Sequence, residues 1–354
     1  AVSHAERRRL FDRPRSSWAD YRTDLISDGG GVFARTEKYV AVSDEMRDVL
    51  GVTAATMTPD QLISAILRAP VDLLWNGGIG TYVKASSESD DDVGDRTNDA
   101  VRVNASELRC RMVGEGGNLG FTQLARVEYA LHGGLIYTDA IDNAAGVDGS
   151  DHEVNIKILL SDVMDHTAMT MSERNELLAE MTDEVASLVL ANNKAQTMAL
   201  LIARTQGLPM VNVHARYLDQ LEAEGWLERE LEFLPTDKQI AERQSAGSGL
   251  RAPEFAILIA YTKNANVVEI LDSDLPSSAV LDDDVIDYFP TPLRARFRSE
   301  ILGHRLRREI AATQLVNQMT NLSGISFDHR MAEETGASVV DITRAWLTVR
   351  EILD

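Results

Sequence analysis

Three segments rich in glycine and asparagine lie within residues 76 to 150: Asn76-Gly77-Gly78-Ile79-Gly80-Thr81, Gly114-Glu115-Gly116-Gly117-Asn118-Leu119-Gly120 and Asp142-Asn143-Ala144-Ala145-Gly146-Val147-Asp148-Gly149-Ser150. Each follows a short apolar run: Val71-Asp72-Leu73-Leu74-Trp75, Cys110-Arg111-Met112-Val113 and Leu135-Ile136-Tyr137-Thr138. A short apolar run closed by glycines reads as a strand entering a loop. Repeated in this way, the pattern predicts an α/β fold with parallel strands, whose ligands bind outside the carboxyl ends of the strands. Glycine lets a phosphate or ribose approach the backbone amides. Asparagine adds a neutral amide that both donates and accepts, which suits a carboxamide or a ribose hydroxyl. One such loop alone is usually a plain turn, but the three together read as loops converging on one ligand.

The chain has 354 residues, enough for two domains with ordinary cores. A hydrophobic share of 44% and a charged share of 26% are those of a globular protein. No apolar run is long enough to span a bilayer, so no membrane partner is expected and the cytoplasm is the default location. The formal charge of −21 repels polyanions and argues against a nucleic-acid partner. The single cysteine, Cys110, excludes an intrachain disulfide and is expected to be buried in a strand.

Along the chain, Ala1 to Arg15 carries five arginines and reads as an exposed lead-in. Thr58 to Arg68 has a capping threonine, a proline in the first turn and helical apolar spacing, which predicts a crossover helix into the first strand. Ser86 to Asp95 holds the carboxylates Glu88, Asp90, Asp91, Asp92 and Asp95 in what reads as a solvated loop, without calcium-loop spacing. Asn118 to Tyr129 has helical periodicity, placing Gly114 to Gly117 at a helix start where amides can hold an anion.

Beyond residue 160 helical periodicity dominates, over 172–191, 193–205, 212–224, 252–268, 292–313 and 332–353. Breaks are expected at Gly207-Leu208-Pro209, Ser245 to Gly249 and Asp282-Asp283-Asp284. The domain boundary is therefore read near residue 165, with an α/β domain over 1–165 and a helical domain over 166–354.

Several chemical signatures are missing. There is no Gly-x-Gly-x-x-Gly, no Gly-Lys-Ser/Thr loop and no His-Glu-x-x-His. His152 reads as a residue at a helix start after Ser150, either capping or titrating near neutrality as a general acid. Ser150 lacks a basic partner in sequence, which makes it a poor nucleophile but a reasonable donor to a carboxylate. His304-Arg305-Leu306-Arg307-Arg308-Glu309 reads as an exposed, ion-paired helix face.

The three loops, extended through Thr81-Tyr82-Val83-Lys84, Phe121-Thr122-Gln123 and Asp151-His152-Glu153-Val154-Asn155, resemble the large bacterial NAD-specific glutamate dehydrogenases. The resemblance continues through Ser16-Ser17-Trp18, Gly29-Gly30-Gly31-Val32-Phe33, Arg251-Ala252-Pro253-Glu254 and Leu306 to Ile310, and so covers essentially the whole chain. It implies oxidative deamination of L-glutamate to 2-oxoglutarate and ammonia by hydride transfer to NAD. It implies a partial Rossmann-type dinucleotide-binding domain followed by a mainly α-helical domain, and a homo-oligomer in the full-length protein.

By the same resemblance, Asn118 lies near the nicotinamide ribose with Gly116 and Gly117 beside it. Asn143 meets the nicotinamide side, Asn76, Gly77 and Gly78 line the same cleft, and Ser150 helps bind the substrate carboxylate. Ala144 and Gly149 depart from the family's usual serine and bulkier residue. The family's pyrophosphate turn, its acidic ribose residue and its catalytic lysine and aspartate have no counterpart here. The chain is accordingly expected to be an internal fragment with no catalytic residue of its own, inactive alone and weak in NAD binding. A helical assembly module, or a dehydrogenase of another amino acid, would also fit parts of the pattern.

Overall fold

The computed structural model describes residues 2–353. The chain divides into two compact units between Ile136 and Tyr137. The boundary read from the sequence lies later, at the end of the long helix Ala144–His166, which belongs to the second unit.

In the first unit, strand Leu73–Asn76 pairs in parallel with Met112–Glu115, in the register Leu73 to Met112 through Asn76 to Glu115. The third apolar run contributes a single parallel bridge, Met112 to Leu135. A second parallel pair joins Val83–Lys84 to Val103–Asn104, and an antiparallel pair joins Val40–Ala41 to Thr56–Met57. These short parallel strands fit a partial α/β region. Helix Pro59–Leu67 forms where the sequence predicts it, because Thr58 and Gln61 cap each other reciprocally.

Val83, Val103, Val113, Phe121, Ala125, Tyr129 and Ile136 form the core beneath the strands. Cys110 is buried there with its Sγ 3.4 Å from the Tyr129 hydroxyl, although it precedes the strand rather than lying in it. Burial pushes its thiol up from the ordinary value.

Three expectations change in this unit. The amino-terminal segment is folded: helix Val2–Asp12 buries Leu10 and Glu6, and Glu6 holds Arg9 at 2.6 Å and the Arg22 amide at 2.8 Å. The acidic segment is a short helix, Asp90–Val93, capped by Ser89. Its Asp90 and the nearby Asp99 pair with the buried Arg102 at 2.7 and 2.6 Å, and Asp95 accepts from the Thr81 amide. Finally, Gly114 to Gly117 do not open a helix. Gly114 and Glu115 finish the strand, and the helix is Gln123–Leu131, started by Thr122, whose Oγ1 accepts from the Ala125 amide.

The second unit is helical. One core joins Ile156, Leu159 and Leu160 of helix Ala144–His166 to Met181, Phe289, Leu293, Ile301 and Leu315. Another gathers Leu200, Leu218, Leu221, Phe255, Leu258 and Ile259. The two helices read over 172–205 are one, Met171–Thr205. Neither glycine nor proline interrupts it, and Asn192 and Asn193 turn their amides outward to Asp148 and to the Ile141 carbonyl.

The segment read as helical over 292–313 is broken into Thr291–Arg296, Arg298–Leu302 and the start of Arg307–Ser323. The last break falls at Gly303 and His304, where the His304 Nδ1 takes the Leu306 amide. The segment over 332–353 is likewise two helices, Phe327–Thr335 and Val339–Leu353, parted by Gly336 in the left-handed region at φ 70°.

Asp282, Asp283 and Asp284 are no break. They form the first turn of helix Asp282–Tyr288, where carboxylates suit the helix dipole. The Arg305–Arg308 cluster is not a plain exposed face either. His304 is buried, Arg307 binds Asp282 at 2.6 Å, and Arg308 donates to the Leu271 and Ser273 carbonyls. Arg251 to Glu254 begin helix Ala252–Leu271, where the fully buried Glu254 accepts from the Arg251 amide and both its oxygens meet Arg243. Among the described residues no helix is long and apolar enough to cross a membrane.

Candidate functional site

In the first unit, the register that opposes Asn76 to Glu115 brings the two glycine loops together at the carboxyl ends of their strands. The Gly117 amide donates to the Asn76 carbonyl at 3.0 Å, and the Gly78 amide to the Asn76 Oδ1 at 3.3 Å. A Cβ on Gly117 would stand 2.5 Å from the Gly78 carbonyl oxygen, so only glycine allows the loops to touch there. A Cβ on Gly120 would stand 1.6 Å from the Asn76 Nδ2. That Nδ2 is buried and has no hydrogen-bond partner.

The loop after Met112–Glu115 is held from below by a residue pair that the sequence reading did not single out. Glu115 is fully buried, and its carboxylate meets Arg126 through Nε at 2.7 Å and Nη2 at 2.9 Å. The same carboxylate accepts from the Phe121 amide at 3.1 Å. One ion pair therefore ties the last residue of the strand to the first helical turns and to the far end of the loop. From above, the Thr81 hydroxyl donates to the Leu119 carbonyl at 2.7 Å, and the Tyr82 amide to the Gly120 carbonyl at 2.9 Å. Leu119 is forced into the left-handed region at φ 58°, a conformation that surrounding contacts must hold in place.

Of the first unit's expected site residues, Asn76, Gly77, Gly78, Gly116 and Gly117 lie on these two loops, joined by the Gly117 contacts. Asn118 lies between Gly117 and the strained Leu119. The Trp75 indole lies over Gly114 and Gly116, where a Cβ would come within 2.8 and 2.4 Å of its ring. No local signal marked Glu115 and Arg126, because their partnership crosses a loop.

In the second unit, the expected third loop is helical. Asp139–Asp142 is a short helix, and Asn143 is the hinge to Ala144–His166, its amide donating to the Asp139 carbonyl at 2.7 Å. Gly146 and Gly149 each cost a helix about 1 kcal/mol relative to alanine. Burial of Ile156, Leu159, Leu160 and Val163 farther along the same helix outweighs that cost. Ser150 is exposed on this helix, its Oγ donating to the Val147 carbonyl at 2.9 Å.

His152 is not at a helix start but well inside, 2% exposed and stacked on Tyr288 with ring centroids 4.3 Å apart. Burial holds its imidazole below the ordinary value, against the opposing pull of Asp148 and Asp151. Among the described residues no group of histidine, cysteine and carboxylate side chains could hold a metal ion.

The chain matches two protein-family models. Residues 1–203 match the bacterial NAD-glutamate dehydrogenase catalytic domain, and residues 247–354 match the glutamate dehydrogenase C-terminal domain. It is 51% identical over 358 residues to the NAD-specific glutamate dehydrogenase of Mycobacterium tuberculosis, 51% over 352 residues to that of Pseudomonas aeruginosa and 48% over 351 residues to that of Halomonas elongata. Each alignment covers 99% of this chain and 22% of the relative, so the chain spans about a fifth of the length of these proteins. Over that span it belongs to the bacterial NAD-glutamate dehydrogenase family.

Proposed function

We propose that this chain is part of a longer polypeptide that oxidatively deaminates L-glutamate to 2-oxoglutarate and ammonia, with NAD as hydride acceptor. The supporting observation is identity of about one residue in two to three NAD-specific glutamate dehydrogenases along nearly the whole chain. In this reading, residues 1–165 are the C-terminal part of the dinucleotide-binding domain and residues 166–354 a helical C-terminal domain. The longer polypeptide is a cytoplasmic homo-oligomer.

The residues present suit such a cofactor. Asn76 offers a buried amide nitrogen, Nδ2, with no hydrogen-bond partner, and Gly77 and Gly78 offer an exposed backbone without side chains. Asn76, Gly77, Gly78, Gly116, Gly117, Asn118 and Asn143 would hold NAD, and Ser150 would donate to a carboxylate of glutamate. When bound, NAD supplies the hydride acceptor. This chain's own part is to orient the reactants: neutral amides and glycine backbone position them without contributing a proton-transfer group. No residue here is assigned a catalytic role.

The test is NADH formation from L-glutamate by the longer natural polypeptide, with the 354-residue chain assayed beside it. Activity confined to the longer form is the expected result. Turnover of a different amino acid, or robust turnover by the short chain, would overturn this reading.

A further inference from the structure

We propose that His152 is a positioning residue, whose ring stacks on Tyr288 to set the helix carrying Asn143 and Ser150, and that it works by shape rather than by hydrogen bonding or proton transfer. The proposal deepens the glutamate dehydrogenase reading, because it takes Asn143 and Ser150 as ligand contacts.

His152 is 2% exposed, and its ring lies nearly flat on Tyr288, 4.3 Å between centroids and 11° between planes. Neither ring nitrogen has a hydrogen-bond partner. The carboxylate paired with it, Asp148 Oδ1, stands 3.8 Å from Nε2, beyond hydrogen-bond reach. A histidine used for acid–base work is normally oriented by a bond to its second nitrogen. This one has no such bond, and what holds it is an aromatic face.

That face is part of a larger seam. The Asn155 Nδ2 donates to the Tyr288 hydroxyl at 2.9 Å, and the His304 Nε2 lies 3.2 Å from the Asn155 carbonyl oxygen. Phe289 packs edge-on to Tyr288 at 5.1 Å and leans on His304 at 5.7 Å. His152, Asn155 and Ile156 thus form the buried side of helix Ala144–His166, gripped by residues from 288 to 304.

Ser150 sits about 200° around the helix from His152, since each residue turns it by about 100°. It is therefore on the exposed face, opposite the grip. A helix is stiff, so any shift of the gripped face moves the other. Misplacement of a binding group by about 1 Å can cost about a hundredfold in rate. The grip also links segments matched by different family models, because His152 falls within residues 1–203 and Tyr288 within 247–354.

The experiment compares His152→Ala, His152→Phe and Tyr288→Leu in the longer natural polypeptide. His152→Ala and Tyr288→Leu are expected to raise KM for L-glutamate roughly tenfold. His152→Phe, which keeps a flat ring, is expected to restore KM to within about twofold and to keep the wild-type pH profile of kcat/KM. A variant that merely folds poorly would lower kcat through lost active enzyme and leave KM unmoved.

An inactive or unmatched His152→Phe, a lost pH limb in that variant, or a wild-type KM in His152→Ala would overturn the proposal. Amide hydrogen exchange over residues 144–160 gives a second readout that needs no turnover. It is expected to quicken in His152→Ala and to match wild type in His152→Phe. If wild type itself does not oxidise glutamate, the functional reading fails while this second readout still decides whether shape alone sets the helix.

Discussion

At the end of strand Met112–Glu115 a fully buried carboxylate is met by Arg126 and by the Phe121 amide, whereas in helix Ala144–His166 the ring of a histidine buried almost as deeply takes no hydrogen bond. The difference follows from what each must hold. Glu115 controls a loop, and a loop has no internal repeat to fix its path, so directed bonds must do it. His152 lies on a helix that already satisfies its own backbone, so only the placement of the whole rod is open, and a flat contact suffices. A buried carboxylate is tolerable only when paired and bonded, while a neutral imidazole can sit against an aromatic ring at modest cost.

The sharpest way to break this comparison is at Arg126. Arg126→Leu leaves the Glu115 charge buried without its main counter-ion, which is expected to cost about 3–5 kcal/mol. Urea denaturation, with hydrogen exchange over residues 112–126, measures it. The double substitution Glu115→Leu with Arg126→Leu removes both charges, and much of the loss is expected to return. Recovery in stability without recovery of cofactor affinity in the longer polypeptide would separate folding from loop placement. A single variant losing under about 1 kcal/mol would mean the pair does not control the loop in the way argued.

Lys263 is an intermediate case: a largely buried cation whose Nζ meets the neutral Gln196 Oε1 at 2.8 Å. Desolvation alone lowers its pKa from 10.5 to about 8. Between pH 8 and 10.5 the unfolded chain therefore binds more protons than the folded one, and stability rises with pH across that window. Below it the penalty is fully present, on the order of 3 kcal/mol. Lys263→Met keeps the stem but leaves the Gln196 carbonyl without its donor, so a net gain of about 1–2 kcal/mol is expected at pH 7. Denaturation at pH 7 and pH 10 tests this, because the variant is expected to lose the rise. An undiminished rise would assign it to other groups.

How much of this was legible in the sequence depends on the range over which each feature is decided. The parallel pairing of the first two apolar runs, the Thr58 cap and the helices Val211–Ala223 and Ala252–Leu271 rest on local pattern, and the sequence showed them. The third glycine segment misled, because glycines that read as a loop are carried in a helix by Ile156, Leu159 and Leu160, which lie past the segment itself. Helix Gln123–Leu131 began later than its periodicity suggested because Thr122 offers a better cap than the glycines before it. Glu115 with Arg126, and His152 with Tyr288, could not be read at all. Each pair is made by tertiary approach, and a lone buried charge or histidine in a sequence does not declare its partner.

The smallest expected effect belongs to a contact that needs neither burial nor distant residues. In the Thr58 cap, the Gln61 amide donates to Thr58 Oγ1 at 3.2 Å and the Thr58 amide donates to Gln61 Oε1 at 3.0 Å. Thr58→Ala removes the first bond and is expected to cost about 1 kcal/mol, while Thr58→Ser costs a few tenths. Both bonds are solvent-exposed, so the loss is expected to be local, with quickened hydrogen exchange in residues 59–63 and little change across 112–126. An effect as large as that of Arg126→Leu would mean helix Pro59–Leu67 is coupled to the loop, and the contrast between local and tertiary control would have to be redrawn.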